Sequence, residues 1–397
     1  MTDRSAVGRI LLIYESGTRR GAWKGERVDE LILTLTAQNI RVFFLGLRGL
    51  SEFPFRRAPG LVCLCFALPG IISRLAGKFS LSPRFVRTAV SQRVFATVTR
   101  LLRGHHVLTQ TTLGRLVERL KARGHVVWAE CDMTCPLAWK EILNTEARRI
   151  NAVDEVQGEL PPATRTSEEE RAFAASDRVI VFSQWAFDNL PEVIRAKAVV
   201  VPPVSVPPAD RPIHDGDEEL PIEFIFVGQV GFRKGAHILM DAMRDAPLDK
   251  VTCHVFGGLR DNFRGYMDRT GMTVPECLQL HGAGDWRAFV RDRPARYVAV
   301  LPSFVEGSPR FIYEAASMGI SAIVSPAARP SFFEHDRDAL VLSHPDVEQL
   351  KLAASRFGVE PSLWWRLSKS AYANYQREFD TASYGKRMAE LLSEANE

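Results

Sequence analysis

The sequence predicts an α/β protein with two parallel-sheet domains. Three observations carry that prediction. Strand-length apolar runs alternate with helical periodicity through most of the 397 residues, a proline-rich segment interrupts the series, and one more helical pattern follows the second series. The chain is also longer than one ordinary domain. Ligands of open parallel sheets bind at strand carboxyl ends, so a cleft between the two halves is expected.

The first series opens with RILLIY at Arg9–Tyr14, an unbroken apolar run suited to a strand buried on both faces. Glu26–Gln38 follows as a helix, with Val28, Leu31, Leu35 and Gln38 near one face, and Ile40–Leu45 as a second strand. Residues 53–104 break the rhythm with apolar and basic patches. Val107–Gln110 and His125–Ala129 are predicted strands flanking a helix over Leu113–Ala122, and Arg178–Phe182 and Ala198–Val201 continue the series. The proline-rich stretch from Val201 to Pro221 can continue neither a sheet nor a helix, and reads as a linker.

The second series predicts strands at Ile222–Val227, Val251–Phe256, Leu278–His281, Tyr297–Leu301, Ser321–Val324 and Leu340–Leu342. Helices should begin near Ala236, Asp261, Asp285, Pro309, Asp346 and Pro361, and a last one spans Ala382–Ala395. The expected division is 1–200, a linker over 201–221, a second domain over 222–380, and the terminal helix over 381–397.

Composition excludes a disordered or fibrous chain: 46% of residues are hydrophobic and 25% charged. A net charge of +4 does not suggest nucleic acid. The charge is unevenly spread, however. Between Glu52 and Glu118 there are ten Lys and Arg and no acid. The same stretch holds the apolar run Leu61–Ile72, so Arg84, Arg87 and Arg93 are candidates for an anionic acceptor or membrane surface. The competing reading makes Leu61–Leu68 a buried strand. The longest uncharged stretch is 16 residues and contains Pro69-Gly70, whereas a spanning helix needs about 20. No transmembrane segment or signal peptide is expected. The six cysteines fit neither a disulfide framework nor a zinc spacing and are read as reduced thiols in a cytoplasmic protein.

Two segments carry chemistry. In YVAVLPSFVEGSPRFIYEAASMGISAIVS, Tyr297–Ser325, a strand ends, a short loop follows, Ser308 is placed to cap a helix and Pro309 to begin it, and Gly319 ends it. A helix N-terminus at a strand's carboxyl end suits phosphate. Glu306 precedes the helix; Glu314 lies within it, off its packed stripe. In EFIFVGQVGFRKGAHILM, Glu223–Met240, a strand leads into a glycine turn, adjacent cations and a helix. Gly228 and Gly231 permit close backbone approach to a ligand, and Arg233 and Lys234 can neutralise a diphosphate. Neither a P-loop nor the dinucleotide G-x-G-x-x-G spacing is present.

These segments resemble the donor site of retaining glycosyltransferases of family 4, which have the GT-B fold. That family's Gly-Arg-Leu-x3-Lys-Gly is met by Gly228-Gln229-Val230-x3-Lys234-Gly235, and its Ser-x2-Glu-Gly-x-(Gly/Pro)-x4-Glu-Ala by Ser303-x2-Glu306-Gly307-x-Pro309-x4-Glu314-Ala315. Ser176–Leu190 and Val199–Val206 resemble the family's segments around the end of the first domain. The resemblance is strong over roughly 170–330 and weak before 125.

It implies two Rossmann-like domains and a C-terminal helix returning to the first. It further implies a nucleoside-diphosphate sugar as donor, a glycan or lipid-linked acceptor, retention of configuration and no metal or other cofactor. Lys234 and Arg233 would bind the diphosphate and stabilise the leaving nucleotide, Glu314 would hold the ribose and Glu306 the sugar near the reacting carbon. The backbone N–H groups of Arg310 and Phe311 would cap the phosphate, with Ser308 and Pro309 beside the donor.

Three departures stand out. Gln229 replaces the family's Arg, with Arg233 the candidate replacement. Arg310 is unusual within Glu-x7-Glu. After the strand His125–Ala129 the family's His is missing, leaving Asp132 or Glu130 as substitutes, each also readable as a loop or capping carboxylate. Asp215-Gly216-Asp217 and His105-His106 are read as solvated or structural. Gly17, Gly21 and Gly25 are either an acceptor loop or a relaxed turn. The alternatives to a transferase are a catalytically inactive sugar-nucleotide-binding subunit and a GT-B epimerase.

Overall fold

In the computed structural model the described residues are 9–14, 23–38, 40–46, 61–65, 92, 106–209, 220–244, 252–360 and 362–394. Two compact units emerge. The first comprises Met1–Pro136, Pro162–Ser205 and Thr381–Glu397; the second comprises Leu137–Pro161 and Val206–Asp380.

The first unit is built on seven strands: β1 (Arg9–Tyr14), β2 (Arg41–Gly46), β3 (Leu61–Cys65), β4 (His106–Gln110), β5 (Val126–Cys131), β6 (Arg178–Val181) and β7 (Ala198–Val200). They lie in the order β3-β2-β1-β4-β5-β6-β7, every neighbouring pair parallel. The unbroken apolar run of β1 has a direct cause. Ile10 and Leu12 enter one core with Leu31 and Leu35 of helix Trp23–Ala37, while Leu11 and Ile13 enter another with Leu113, Leu116 and Leu120. Both faces of the strand are covered, so alternation disappears.

The terminal helix, Tyr384–Glu394, belongs to this first unit. Tyr384, Met388, Ala389 and Leu392 are buried in the core with β1 and helix Trp23–Ala37, and Leu391 packs at its margin. Each large side chain so buried contributes about 1.5–3 kcal/mol. The close approach of the two helices uses Gly385, where a Cβ would sit 2.9 Å from Glu30 Cγ and Thr34 Oγ1. The expected return of this helix is therefore what the fold contains.

The second unit holds β8 (Ile222–Val227), β9 (Thr252–Phe256), β10 (Leu278–Gly282), β11 (Arg296–Leu301), β12 (Ser321–Val324) and β13 (Leu340–Val341), ordered β10-β9-β8-β11-β12-β13. All pairs are parallel. Strand order reverses between β8 and β11, so the connections that follow these two strands diverge and leave space above their carboxyl ends. Helix starts follow the sequence signals. Asp285 caps helix Trp286–Asp292 by accepting from the N–H of Arg287 and Ala288, and Asp346 caps Val347–Val359 by accepting from Gln349. Each cap is worth about 1 kcal/mol.

Several expectations change. The start of the apolar run Leu61–Ile72 is strand β3, paired in register with Val42–Gly46 at one sheet edge. Gly25 lies in the first turn of helix Trp23–Ala37, which begins three residues before Glu26. The helix expected from Pro309 is Arg310–Ser317, with Pro309 rather than Ser308 at its N-cap and no side-chain cap. Gly319 follows its end at φ +74°, a left-handed position that favours glycine. Gly17, Gly21, Arg84, Arg87, Arg93 and Asp215-Gly216-Asp217 lie outside the described residues. Among the described residues no helix is long and apolar enough to cross a membrane, and no cluster of metal-ligating side chains occurs.

Candidate functional site

At the switch point of the second unit two loops meet. One leaves β8 and runs from Gly228 to helix Ala236–Arg244; the other leaves β11 and runs from Pro302 to helix Arg310–Ser317. Their backbones are tied by Phe304 N–H to Arg233 O at 2.9 Å. The Arg233 guanidinium donates to Val305 O at 2.8 Å. Gly235, at φ +70°, is in van der Waals contact range of Pro302 and admits no Cβ, which would collide with the Pro302 carbonyl oxygen.

The charged groups converge on Glu306. Lys234 Nζ is 2.5 Å and Arg233 Nη1 3.1 Å from Glu306 Oε1, and Ser303 Oγ donates to the same oxygen at 2.9 Å. Burial alone would raise the Glu306 carboxyl, but Lys234 and Arg233 outweigh it and hold it below the usual carboxylate range. Burial pulls the Lys234 ammonium below its ordinary value, against the attraction of Glu306. The result is a desolvated two-cation, one-carboxylate cluster beside the N-terminus of Arg310–Ser317, whose first N–H groups have no intrahelical acceptor. Such a cluster can receive a phosphate and hold it against a developing charge.

Glu314 is also buried, at 3% exposure. Arg287 and Arg310 both donate to its Oε1. Burial raises its carboxyl in spite of those two guanidiniums. Gln229 accepts from Arg260 Nη1 at 2.7 Å. The cation beside Gln229 is thus Arg260, while Arg233 is engaged with Glu306 and Val305.

The other expected residues sit in the first unit. Asp132 follows β5 and is paired with Arg165 at 3.2 Å, which also binds Glu169 at 2.6 Å. Glu130, the alternative substitute, is wholly buried against Arg27 at 2.9 Å and accepts from Tyr384 Oη. It is a core ion pair, which removes it as a reacting carboxylate.

Residues 137–161 supply contacts that no motif signalled. His237, two residues after Gly235, meets Glu146 at 2.7 Å and stacks on Phe304 with ring centroids 5.5 Å apart. Burial opposes ionisation of Glu146, yet bonds from His237 and Arg149 hold its carboxyl at about 2. Glu159 accepts from the backbone N–H of Phe232 at 2.9 Å and of Arg233 at 2.8 Å. Gly231 was expected to admit a ligand; what it admits is Glu159, whose Oε1 would collide with any Cβ there.

This arrangement, two doubly wound parallel sheets with a cationic loop and a helix N-terminus at the second switch point, defines the GT-B class. Solved structures agree in fold. Sucrose-phosphate synthase from Thermosynechococcus elongatus is 16% identical with TM-score 0.69, covering 98% of this chain and 99% of that one. Anabaena HepE in complex with UDP-glucose is 12% identical with TM-score 0.60, covering 97% and 99%. The E. coli trehalose-6-phosphate structure bound with UDP-2-fluoro glucose is 12% identical with TM-score 0.61, covering 98% and 99%. No curated protein matches the sequence significantly. Residues 221–357 match the family Glycosyl transferases group 1. That segment, most of the second unit, is similar to the group 1 glycosyltransferases.

Proposed function

We propose that the chain is a retaining, metal-independent transferase of the family 4 type. It moves a sugar from a nucleoside-diphosphate sugar to a glycan or lipid-linked acceptor in bacterial surface polysaccharide or glycolipid synthesis. The observation that carries this reading is the gathering of Lys234, Arg233 and Glu306 at the carboxyl ends of β8 and β11, beside a helix N-terminus. Lys234 and Arg233 neutralise the diphosphate, with Gly228, Gln229 and the backbone of Ser308, Pro309, Arg310 and Phe311 around it. Glu314 holds the ribose hydroxyls and Glu306 the transferred sugar. Fixed cations do what a divalent ion would otherwise do, so the rate should survive EDTA. Asp132, held by Arg165, is the acceptor-side carboxylate of this reading.

UDP-, GDP- and ADP-glucose are the donors to screen by thermal shift; a true donor at 100 times its Kd stabilises by about 2.7 kcal/mol. Release of nucleoside diphosphate only with acceptor present, and a product of unchanged anomeric configuration, complete the test. Release without acceptor, or an inverted product, overturns it.

We further place the enzyme in the cytoplasm, peripheral to the inner face of the membrane. The support is the acid-free basic stretch carrying Arg84, Arg87 and Arg93. Each cation near an anionic surface is worth about 1 kcal/mol. Sedimentation with anionic vesicles at low salt should carry the protein down, and changing the three to Gln should release it. Protein left in the supernatant of wild type refutes the placement.

A further inference from the structure

The loop bearing Arg233 and Lys234 is held by a carboxylate contributed from 73 residues before Phe232. Glu159 has a side chain only 4% exposed. Its two oxygens separately accept from consecutive backbone amides, those of Phe232 and Arg233, immediately before Lys234. Asn262 Nδ2 donates to Oε1 at 3.3 Å, and Arg260 Nε lies 3.7 Å from the same atom. The seat is completed by Gly231. Any Cβ at that position would collide with Glu159 Oε1 and lie 2.8 Å from Arg260 Cδ.

The surrounding segment is anchored as well. Arg260 Nη2 donates to Gly158 O at 2.9 Å, Asn262 Nδ2 to Glu155 O at 2.8 Å, and Arg269 Nη2 to Asn151 O at 2.6 Å.

We propose that Glu159 is a positioning residue for the donor cations. By fixing two successive amides it sets the backbone from which the Arg233 and Lys234 side chains reach Glu306, before any donor arrives. A carboxylate suits two convergent N–H groups because it offers acceptors on both oxygens and has no donor when ionised. Positioning of this kind raises affinity by removing the cost of ordering the loop on binding. The inference rests on the reading of Lys234 as a diphosphate ligand.

The test titrates UDP, GDP and ADP calorimetrically into wild type, Glu159→Ala, Lys234→Ala and the double variant. Glu159→Gln stands in if the alanine variant does not fold; its amide keeps one acceptor but turns a donor toward the second N–H. Glu159→Ala should weaken nucleotide binding roughly tenfold, the scale of ordering one or two loop side chains on binding. The double variant should lose less than the two single losses combined, because part of what Glu159 does is exerted through Lys234. A folded Glu159→Ala with wild-type affinity, or losses that simply add, overturns the inference while leaving the donor site intact. Wild-type affinity in Lys234→Ala, or no nucleotide bound by wild type, overturns the donor-site reading and this inference with it.

Discussion

Lys234→Ala should lower the rate of nucleoside diphosphate release on the order of 10²-fold, the cost of removing one fixed donor of positive charge from a leaving group. The structure makes the loss large because the ammonium is desolvated: its side chain is 12% exposed and sits 2.5 Å from Glu306. In such surroundings a charge acts at short range with little screening. Lys234→Arg should not rescue it. A planar guanidinium fork does not reproduce a compact ammonium held 2.5 Å from Glu306 Oε1. Glu306→Gln tests the other half of the pair. The amide keeps an acceptor for Ser303 but releases both cations, so turnover should fall more than donor affinity. Steady-state kinetics of the three variants check this, and near-wild-type rates in Lys234→Ala would reject the assignment.

The second large effect concerns stability. Arg27→Met should destabilise the first unit by about 3–5 kcal/mol, since it leaves the Glu130 carboxylate buried without its cation. Arg27 and Glu130 are 0% and 1% exposed, and the guanidinium also lies 4.2 Å from the Phe182 ring centroid and 4.9 Å from that of Tyr384. Tyr384→Phe, which removes a hydroxyl donor to Glu130, should cost less, about 1–3 kcal/mol. Replacing Arg27 by Met and Glu130 by Gln together should cost less than Arg27→Met alone, because the stranded charge is gone. Urea unfolding of the four proteins reads these differences. A loss below about 1 kcal/mol for Arg27→Met would reject the prediction that the buried pair matters to the stability of the first unit.

These results divide what the chain's pattern determines from what its packing decides. The runs RILLIY, IEFIFV and SAIV are β1, β8 and β12 with the bounds their periodicity predicts. The caps at Asp285 and Asp346 and the stripe Tyr384, Met388, Leu392 were readable for the same reason. Backbone propensity, capping and a buried face are local properties, written within a few residues of where they act. The two loops at the switch point were legible too, since a glycine turn with adjacent cations, and a glutamate before a helix, each occupy one short segment.

Pairings between segments were not legible. β3 was one of two readings of an apolar run and was decided by its register on β2. Pro309 displaced Ser308 at the cap, Arg260 came to rest on Gln229, and Gly231 made room for Glu159. Glu130 passed from candidate reactive group to core ion pair once Arg27 was seen beside it. The sequence supplies a group of the right chemistry, but its partner can lie as many as 254 residues away. Only folding brings the two within the few ångströms over which a hydrogen bond or a desolvated ion pair acts.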